Sequence, residues 1–194
     1  VVVMLGDSLT AGYQLPPQDA LPEVIQARLD ERLRVGTIVN AGVSGDTTRG
    51  GLERYDWSVK GAGADILLIA LGANDYLSGI DAATPRQNLA ELIERAQADG
   101  LLVGLIGISA PDDTGLDARD ETFGAIYPEL AQEYGLALYP NLLAGVLGRP
   151  EYVMADGLHP RREGVEVIAD DLADFVAELI DEWRAANGEQ AGER

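Results

Sequence analysis

A chain of 194 residues with 33 acidic and 14 basic side chains carries a formal charge of −19, and 46% hydrophobic residues are ample for one contiguous core. It has no cysteine, which excludes a disulfide scaffold, a thiol nucleophile and thiolate metal sites, and its single histidine excludes a multi-histidine metal site within one chain. A strongly negative surface repels phosphate backbones and anionic headgroups, so nucleic acid and stable membrane association are not expected and small neutral or cationic ligands remain.

The first strand is read at Val1 to Leu5, a β-branched run that begins at residue 1 with no signal peptide ahead of it; the expectation is a chain that starts after a removed leader. A helix follows over 19–34, a strand over Thr37 to Ala41 and a helix over 48–58. The third strand, Ile66 to Leu71, lies in the longest apolar run, Ile66 to Ala73, which is far short of the roughly 18 residues that suggest a membrane span. A helix over 85–99, a strand over Leu102 to Ile108, a helix over 117–134 and a weak strand, Ala137 to Tyr139, complete the alternation. The last helix is read over 163–185, with Val165, Ile168, Leu172, Phe175, Val176, Leu179, Ile180 and Trp183 on one stripe. The expectation is a single domain over 1–186 with a flexible, fraying tail over 187–194.

This alternation is the pattern of βαβ units on a parallel sheet, with all five runs read as buried between helices. Ligands in such sheets bind beyond the carboxyl ends of the strands, near the point where strand order reverses. Three segments occupy those ends: Gly6-Asp7-Ser8-Leu9-Thr10, Gly42-Val43-Ser44-Gly45-Asp46-Thr47 and Gly72-Ala73-Asn74-Asp75. Singly, each reads as a turn with a helix cap, Asp46 or Thr47 capping the helix after the second strand. Together they converge on one crevice. Asp156-Gly157-Leu158-His159-Pro160 supplies the only imidazole, and the glycine permits a turn that folds Asp156 back to accept a hydrogen bond from one ring nitrogen. Pro160 is expected to start the last helix.

A serine hydroxyl needs a base, an orienting carboxylate and donors aimed at a developing oxyanion. Ser8 offers a hydroxyl and a backbone N–H, Gly42 a bare N–H, Asn74 a side-chain amide, and Asp156 with His159 the acid–base pair. Ser44 and Ser109 compete as nucleophiles, but the chain holds no G-x-S-x-G elbow, which disfavours an ordinary α/β-hydrolase topology. Asp7 and Asp75 are read as structural, tying loop N–H groups together. Magnesium on Asp7, Asp46, Asp75 and Asp156 is the phosphohydrolase alternative, disfavoured by the lack of basic residues near these motifs. A non-catalytic binding module would leave the retained Ser8, Asn74, Asp156 and His159 unexplained. A nucleotide-binding flavodoxin-like protein shares the expected strand order, but neither G-x-G-x-x-G nor a Walker loop is present.

Four blocks in order, Gly6-Asp7-Ser8-Leu9, Asn40-Ala41-Gly42 with Ser44 to Thr47, Gly72 to Asp75, and Asp156 to Pro160, resemble the GDSL or SGNH hydrolases over about residues 1–182. Within them the chain resembles the bacterial arylesterase, lysophospholipase and type I acyl-CoA thioesterase group. The resemblance implies a three-layer α/β/α sandwich on a five-stranded parallel sheet of flavodoxin-like order. It further implies Ser8 as nucleophile, Asp156 and His159 as acid and base, and Ser8, Gly42 and Asn74 as oxyanion donors, without metal or other cofactor. It also implies a small-molecule ester substrate and points to a periplasmic or secreted location, with a cytoplasmic one left open. The segment Asp75, Tyr76, Leu77, Ser78, Gly79 and Ile80 looks like the mobile loop that covers substrate in that group, with Gly79 as a hinge. Thioesterase-type members tend to carry tryptophan before the proline that opens the first long helix, where this chain has Leu21-Pro22.

Overall fold

A computed structural model describes residues 1–32, 36–108 and 118–191. Strand β1 (Val2–Gly6) leads into α1 (Ser8–Ala11), a 3-10 turn (Pro17–Asp19), α2 (Leu21–Glu31) and β2 (Ile38–Gly42). Then come α3 (Thr48–Glu53), a π-helical turn (Asp56–Lys60), β3 (Ile66–Ala70), α4 (Ala73–Leu77) and α5 (Ala83–Ala98). The chain closes with β4 (Leu102–Ile106), α6 (Ala118–Tyr134), β5 (Ala137–Tyr139) and α7 (Arg162–Ala191).

The five strands form one parallel sheet in the order β2-β1-β3-β4-β5. Alternate side chains of a strand point to opposite faces. Val2 and Met4 of β1, with Ile66 and Leu68 of β3, pack into the cluster holding Ile25, Leu29, Leu172 and Val176 of α2 and α7. Val3, Leu5, Leu67 and Ile69 pack on the other face against Leu52, Leu92, Ile126 and Leu130 of α3, α5 and α6. Helices therefore cover both faces, and central strands with no solvated side explain the unbroken apolar runs. β1 and β3 are buried throughout, whereas β2 and β5 are half-buried, because an edge strand has a neighbour on one side only. That corrects the expectation of five equally buried strands.

Two helix boundaries also differ from expectation. Pro160 does not open α7; it pairs with Val153 in an isolated antiparallel bridge, and the helix begins two residues later at Arg162. At the far end α7 continues through Asn187 to Ala191, beyond residue 186, since nothing but Gly188 interrupts a run of fair helix formers. The segment read as one helix over 48–58 is divided into α3 and the π-helical turn. The ends of the candidate helices at 33–34 and 117, and the last tail residues 192–194, lie outside the described residues. Among the described residues no helix is long and apolar enough to cross a membrane.

Strand order reverses between β1 and β3, and the loops after these two strands carry Ser8 and Asn74 to the carboxyl edge of the sheet.

Candidate active site

Ser8 is the first residue of α1. Asp7 caps that helix, its Oδ1 accepting from the Leu9 N–H at 2.9 Å. This carboxyl is fully buried, and desolvation pushes it from the usual carboxylate range up to about 6; the Leu9 hydrogen bond and the charge of His159 oppose the rise, and Asp46 adds to it. The structural reading of Asp7 matches this geometry.

Ser8 Oγ lies 2.9 Å from His159 Nε2, and His159 Nδ1 lies 2.7 Å from Asp156 Oδ2. With the proton on Nδ1 donated to Asp156, Nε2 is left to accept from the serine hydroxyl; this tautomer is assigned from the partners. The turn that joins the pair is built as the spacing predicts. Asp156 Oδ1 accepts from the N–H groups of Leu158 and His159, both at 3.0 Å. These bonds, the Leu158 amide foremost, and the imidazole hold the Asp156 carboxyl down at about 2. Tyr13, which sequence reasoning missed, lays its ring on the imidazole with centroids 4.3 Å apart and planes tilted by 35°. An aromatic residue five positions after Ser8, just past the Gly12 cap of α1, was the available signal. Ser44 is exposed in a turn, the chain's one imidazole sits against Ser8, and Ser109 lies outside the described residues.

Gly42 ends β2 beside Gly6 of β1. A Cβ at Gly42 would stand 2.3 Å from the Ala11 amide nitrogen, so only glycine lets α1 approach β2 this closely. Its N–H is not bare as expected, because Asn40 Oδ1 accepts from it at 3.0 Å. Asn74, on the first turn of α4, donates from Nδ2 to the Asp46 carbonyl at 2.8 Å and more weakly to Asp7 Oδ2 at 3.4 Å. The second contact places the amide beside the residue that precedes Ser8.

The supporting network is larger than the motifs suggest. Buried Asp75 accepts from the Thr48 N–H at 2.8 Å and the Thr48 hydroxyl at 2.7 Å, and Asn88 Nδ2 donates to that hydroxyl at 3.0 Å. Arg54 donates from Nε to Asp46 Oδ2 at 2.7 Å, from Nη1 to the Ala41 carbonyl at 2.8 Å and from Nη2 to the Gly6 carbonyl at 2.9 Å. No local spacing announces these partners, which lie far apart in the chain apart from Asp46.

The segment Asp75 to Ile80 is not a uniform loop. Asp75, Tyr76 and Leu77 belong to α4 and Ser78 caps it, with Asp75 anchored to Thr48; Gly79 takes the left-handed φ of +72° suited to a turn, and the Ile80 N–H donates back to the Asp75 carbonyl. Tyr76 donates its hydroxyl to Asp120, and the Arg119 guanidinium covers the Tyr76 ring at 4.3 Å. Beside this helix lies a cavity of about 200 Å³ whose walls include Ala73, Leu77, Ile108, Phe123, Leu143 and Leu158. Ala73 and Leu158, which line it, are the chain neighbours of Asn74 and His159, whereas Ser8 and His159 themselves line a separate, smaller cleft with Tyr13 and Leu15.

Asp7, Asp46 and Asp75 are each held by amides, a hydroxyl or Arg54, and Asp156 stands on another loop. Among the described residues no three His, Cys, Asp or Glu are grouped to hold a metal ion.

Residues 4–167 match the GDSL-like lipase/acylhydrolase family. An arylesterase of Vibrio mimicus is 37% identical over 179 residues, spanning 92% of this chain and 87% of that protein. Thioesterase 1/protease 1/lysophospholipase L1 of Escherichia coli K12 is 32% identical over 92% of this chain and 84% of its own. The psychrotrophic esterase EstA from a Pseudoalteromonas species, in a structure inhibited by monoethylphosphonate, superposes with a TM-score of 0.86 at 26% identity, covering 93% of this chain and 98% of that one.

Proposed function

The chain belongs to the GDSL-like lipase/acylhydrolase family and is a carboxylic ester hydrolase, and from that premise we propose that Ser8, His159 and Asp156 carry the reaction through an acyl-enzyme. The observation that carries this reading is the continuous run of short contacts from Ser8 Oγ to His159 Nε2 and from His159 Nδ1 to Asp156 Oδ2. His159 takes the serine proton as Oγ bonds to the ester carbonyl carbon. It returns that proton to the departing alkoxide as the acyl–oxygen bond breaks. Water, deprotonated by the same imidazole, then bonds to the acyl carbon, and His159 returns that proton to Ser8 Oγ as the acyl–serine bond breaks and the acid departs. Asp156 keeps the proton on Nδ1 and stabilises the imidazolium.

The Ser8 N–H, the Gly42 N–H and the Asn74 amide are the proposed oxyanion donors. Two of them hold internal acceptors at rest, Asn40 Oδ1 on Gly42 and, at 3.4 Å, Asp7 Oδ2 on Asn74. An incoming carbonyl oxygen replaces these acceptors as its charge grows, so the donors favour the transition state over neutral substrate. Asn74→Ala should lose about 10² to 10³ in kcat and remain folded.

For the substrate, the apolar-walled cavity beside α4 supports a short-chain acyl or aryl group, and the formal charge of −19 favours a neutral ester over multiply phosphorylated acyl-CoA. The name of the Escherichia coli relative supports a second reading, thioester or lysophospholipid hydrolysis on the same residues. Acetylated sugars are a third substrate type for such a set. A series of p-nitrophenyl esters, run beside acyl-CoA and acetylated xylan with wild type and Ser8→Ala, tests both levels. Near-normal turnover by Ser8→Ala would overturn the mechanism. Salt separates the substrates: kcat/KM for acyl-CoA should rise faster with sodium chloride than for a neutral ester, and equal responses contradict the charge argument.

A further inference from the structure

Arg54 stands outside the reacting groups yet bonds to the backbone just ahead of Ser8 and Gly42 and, through the Asp46 carboxylate, to the residue whose carbonyl holds Asn74. Its side chain is 18% exposed and that of its ion-pair partner, Asp46, is 12% exposed, so the guanidinium is held in a largely desolvated place. Nη2 donates to the carbonyl of Gly6, two residues before Ser8, and Nη1 to the carbonyl of Ala41, the residue before Gly42. Nε donates to the carboxylate of Asp46, whose own main-chain carbonyl receives the Asn74 amide at 2.8 Å. Nη1 also reaches Ser58 Oγ at 3.1 Å. Gly50 makes room for this arrangement, since a Cβ there would stand 1.8 Å from Asp46 Oδ1.

We infer that Arg54 is the positioning residue of the oxyanion pocket: one planar guanidinium sets the relative placement of the strand ends leading to the Ser8 and Gly42 donors and, through Asp46, of the carbonyl that holds the Asn74 amide. This rests on the reading of those three groups as oxyanion donors. The side chain suits the task because its donors diverge in one rigid plane, whereas a lysine ammonium is a point charge on a flexible stem. Two strand-end carbonyls and a carboxylate are fixed together, and a displacement of any one moves a donor relative to the reacting carbon. Errors of about 1 Å at such distances can cost about 10²-fold in rate. Arg54 touches no substrate atom, and its effect belongs in kcat with ground-state binding left alone.

The test counts competent sites before it measures rates. Wild type, Arg54→Lys, Asp46→Asn, Asn74→Ala and the double variant Arg54→Lys/Asn74→Ala are titrated to completion with a fluorophosphonate. Hydrolysis of p-nitrophenyl acetate is then expressed per titrated serine. Arg54→Lys should lose about 10²-fold in kcat with KM within about threefold, and the rate of phosphonylation, which also builds anionic oxygen, should fall in step. Asp46→Asn keeps the carbonyl that holds Asn74 and weakens only the ion pair, so a loss of about tenfold is expected; this variant decides the matter if Arg54→Lys does not fold. In the Asn74→Ala background the Arg54→Lys loss should shrink, because one of the positioned donors is already gone. Rates per titrated serine within about threefold of wild type in both Arg54→Lys and Asp46→Asn, beside a crippled Asn74→Ala, would overturn the positioning role and leave the proposed reaction standing. An unimpaired Asn74→Ala would overturn the oxyanion reading and this inference with it.

Discussion

The two sides of the candidate site are built in opposite ways. The side bearing Ser8, Gly42 and Asn74 rests on buried, long-range polar contacts: Asp75 to Thr48 across 27 residues, Arg54 to Gly6 across 48, Asn74 to Asp7 across 67. The side bearing His159 is a surface turn in which Asp156 takes the N–H groups two and three residues ahead of it and stays 42% exposed. One side is held by the fold, the other holds itself. Substitutions in the turn should therefore damage chemistry and spare stability, and substitutions in the network should do more to stability.

The largest effects are expected at the proposed nucleophile, on the fold-held side, and at the two residues of the turn. Ser8→Ala and His159→Ala should each lose about 10⁴-fold or more in kcat. Asp156→Asn should lose less than the roughly 10⁴ that a buried orienting carboxylate can be worth, because solvent screens this exposed one. All three should melt within a few degrees of wild type by circular dichroism, and an Asp156 variant that unfolds would erase the contrast.

Asp7 comes next, because it belongs to the buried side but faces the imidazole. Its carboxyl lies at about 6 when folded against 3.8 for the free side chain, so the folded form holds its proton more tightly than the unfolded chain does. Its contribution to stability is full below pH 3.8 and is lost as pH rises through about 6, by about 3 kcal/mol in all. Asp7→Asn removes that loss and keeps an acceptor for Leu9. Urea unfolding at pH 4 and pH 8 should show the variant gaining on wild type by about that amount, and a constant difference contradicts the burial argument.

Thr48→Val leaves Asp75 and Asn88 short of one partner and should cost about 2 kcal/mol. Its kcat per titrated serine should change by no more than about threefold, a smaller effect on chemistry than any change in the turn. The smallest effect is general. Screening of the −19 charge should hold or raise the melting temperature in molar sodium chloride, and a steady fall with salt would remove that role for the carboxylates.

The same division decided what could be read from the chain. Strand and helix types followed from apolar runs and periodicity, and Asp156 with His159 was legible because a three-residue spacing is a local fact. Thr47, whose hydroxyl accepts from the Gly50 N–H, was legible as a helix cap for the same reason. Arg54 was not, since its carbonyl partners become neighbours only when β1 and β2 pair. Nor did the spacing predict that Asn40 would occupy the Gly42 N–H; Asp75, read as tying loop N–H groups together, does accept from the Thr48 N–H, but that partner lies 27 residues away and no spacing names it. The half-burial of β2 and β5 likewise depends on sheet order, which a single strand's sequence does not carry.

Reaction with a p-nitrophenyl phosphonate, followed by peptide mass mapping, tests the central claim most directly. One phosphonyl group on Ser8, with ester hydrolysis lost in proportion to labelling and no labelling of Ser8→Ala, is the predicted result. Labelling of another hydroxyl such as Ser44, or full hydrolysis by quantitatively labelled enzyme, would contradict it.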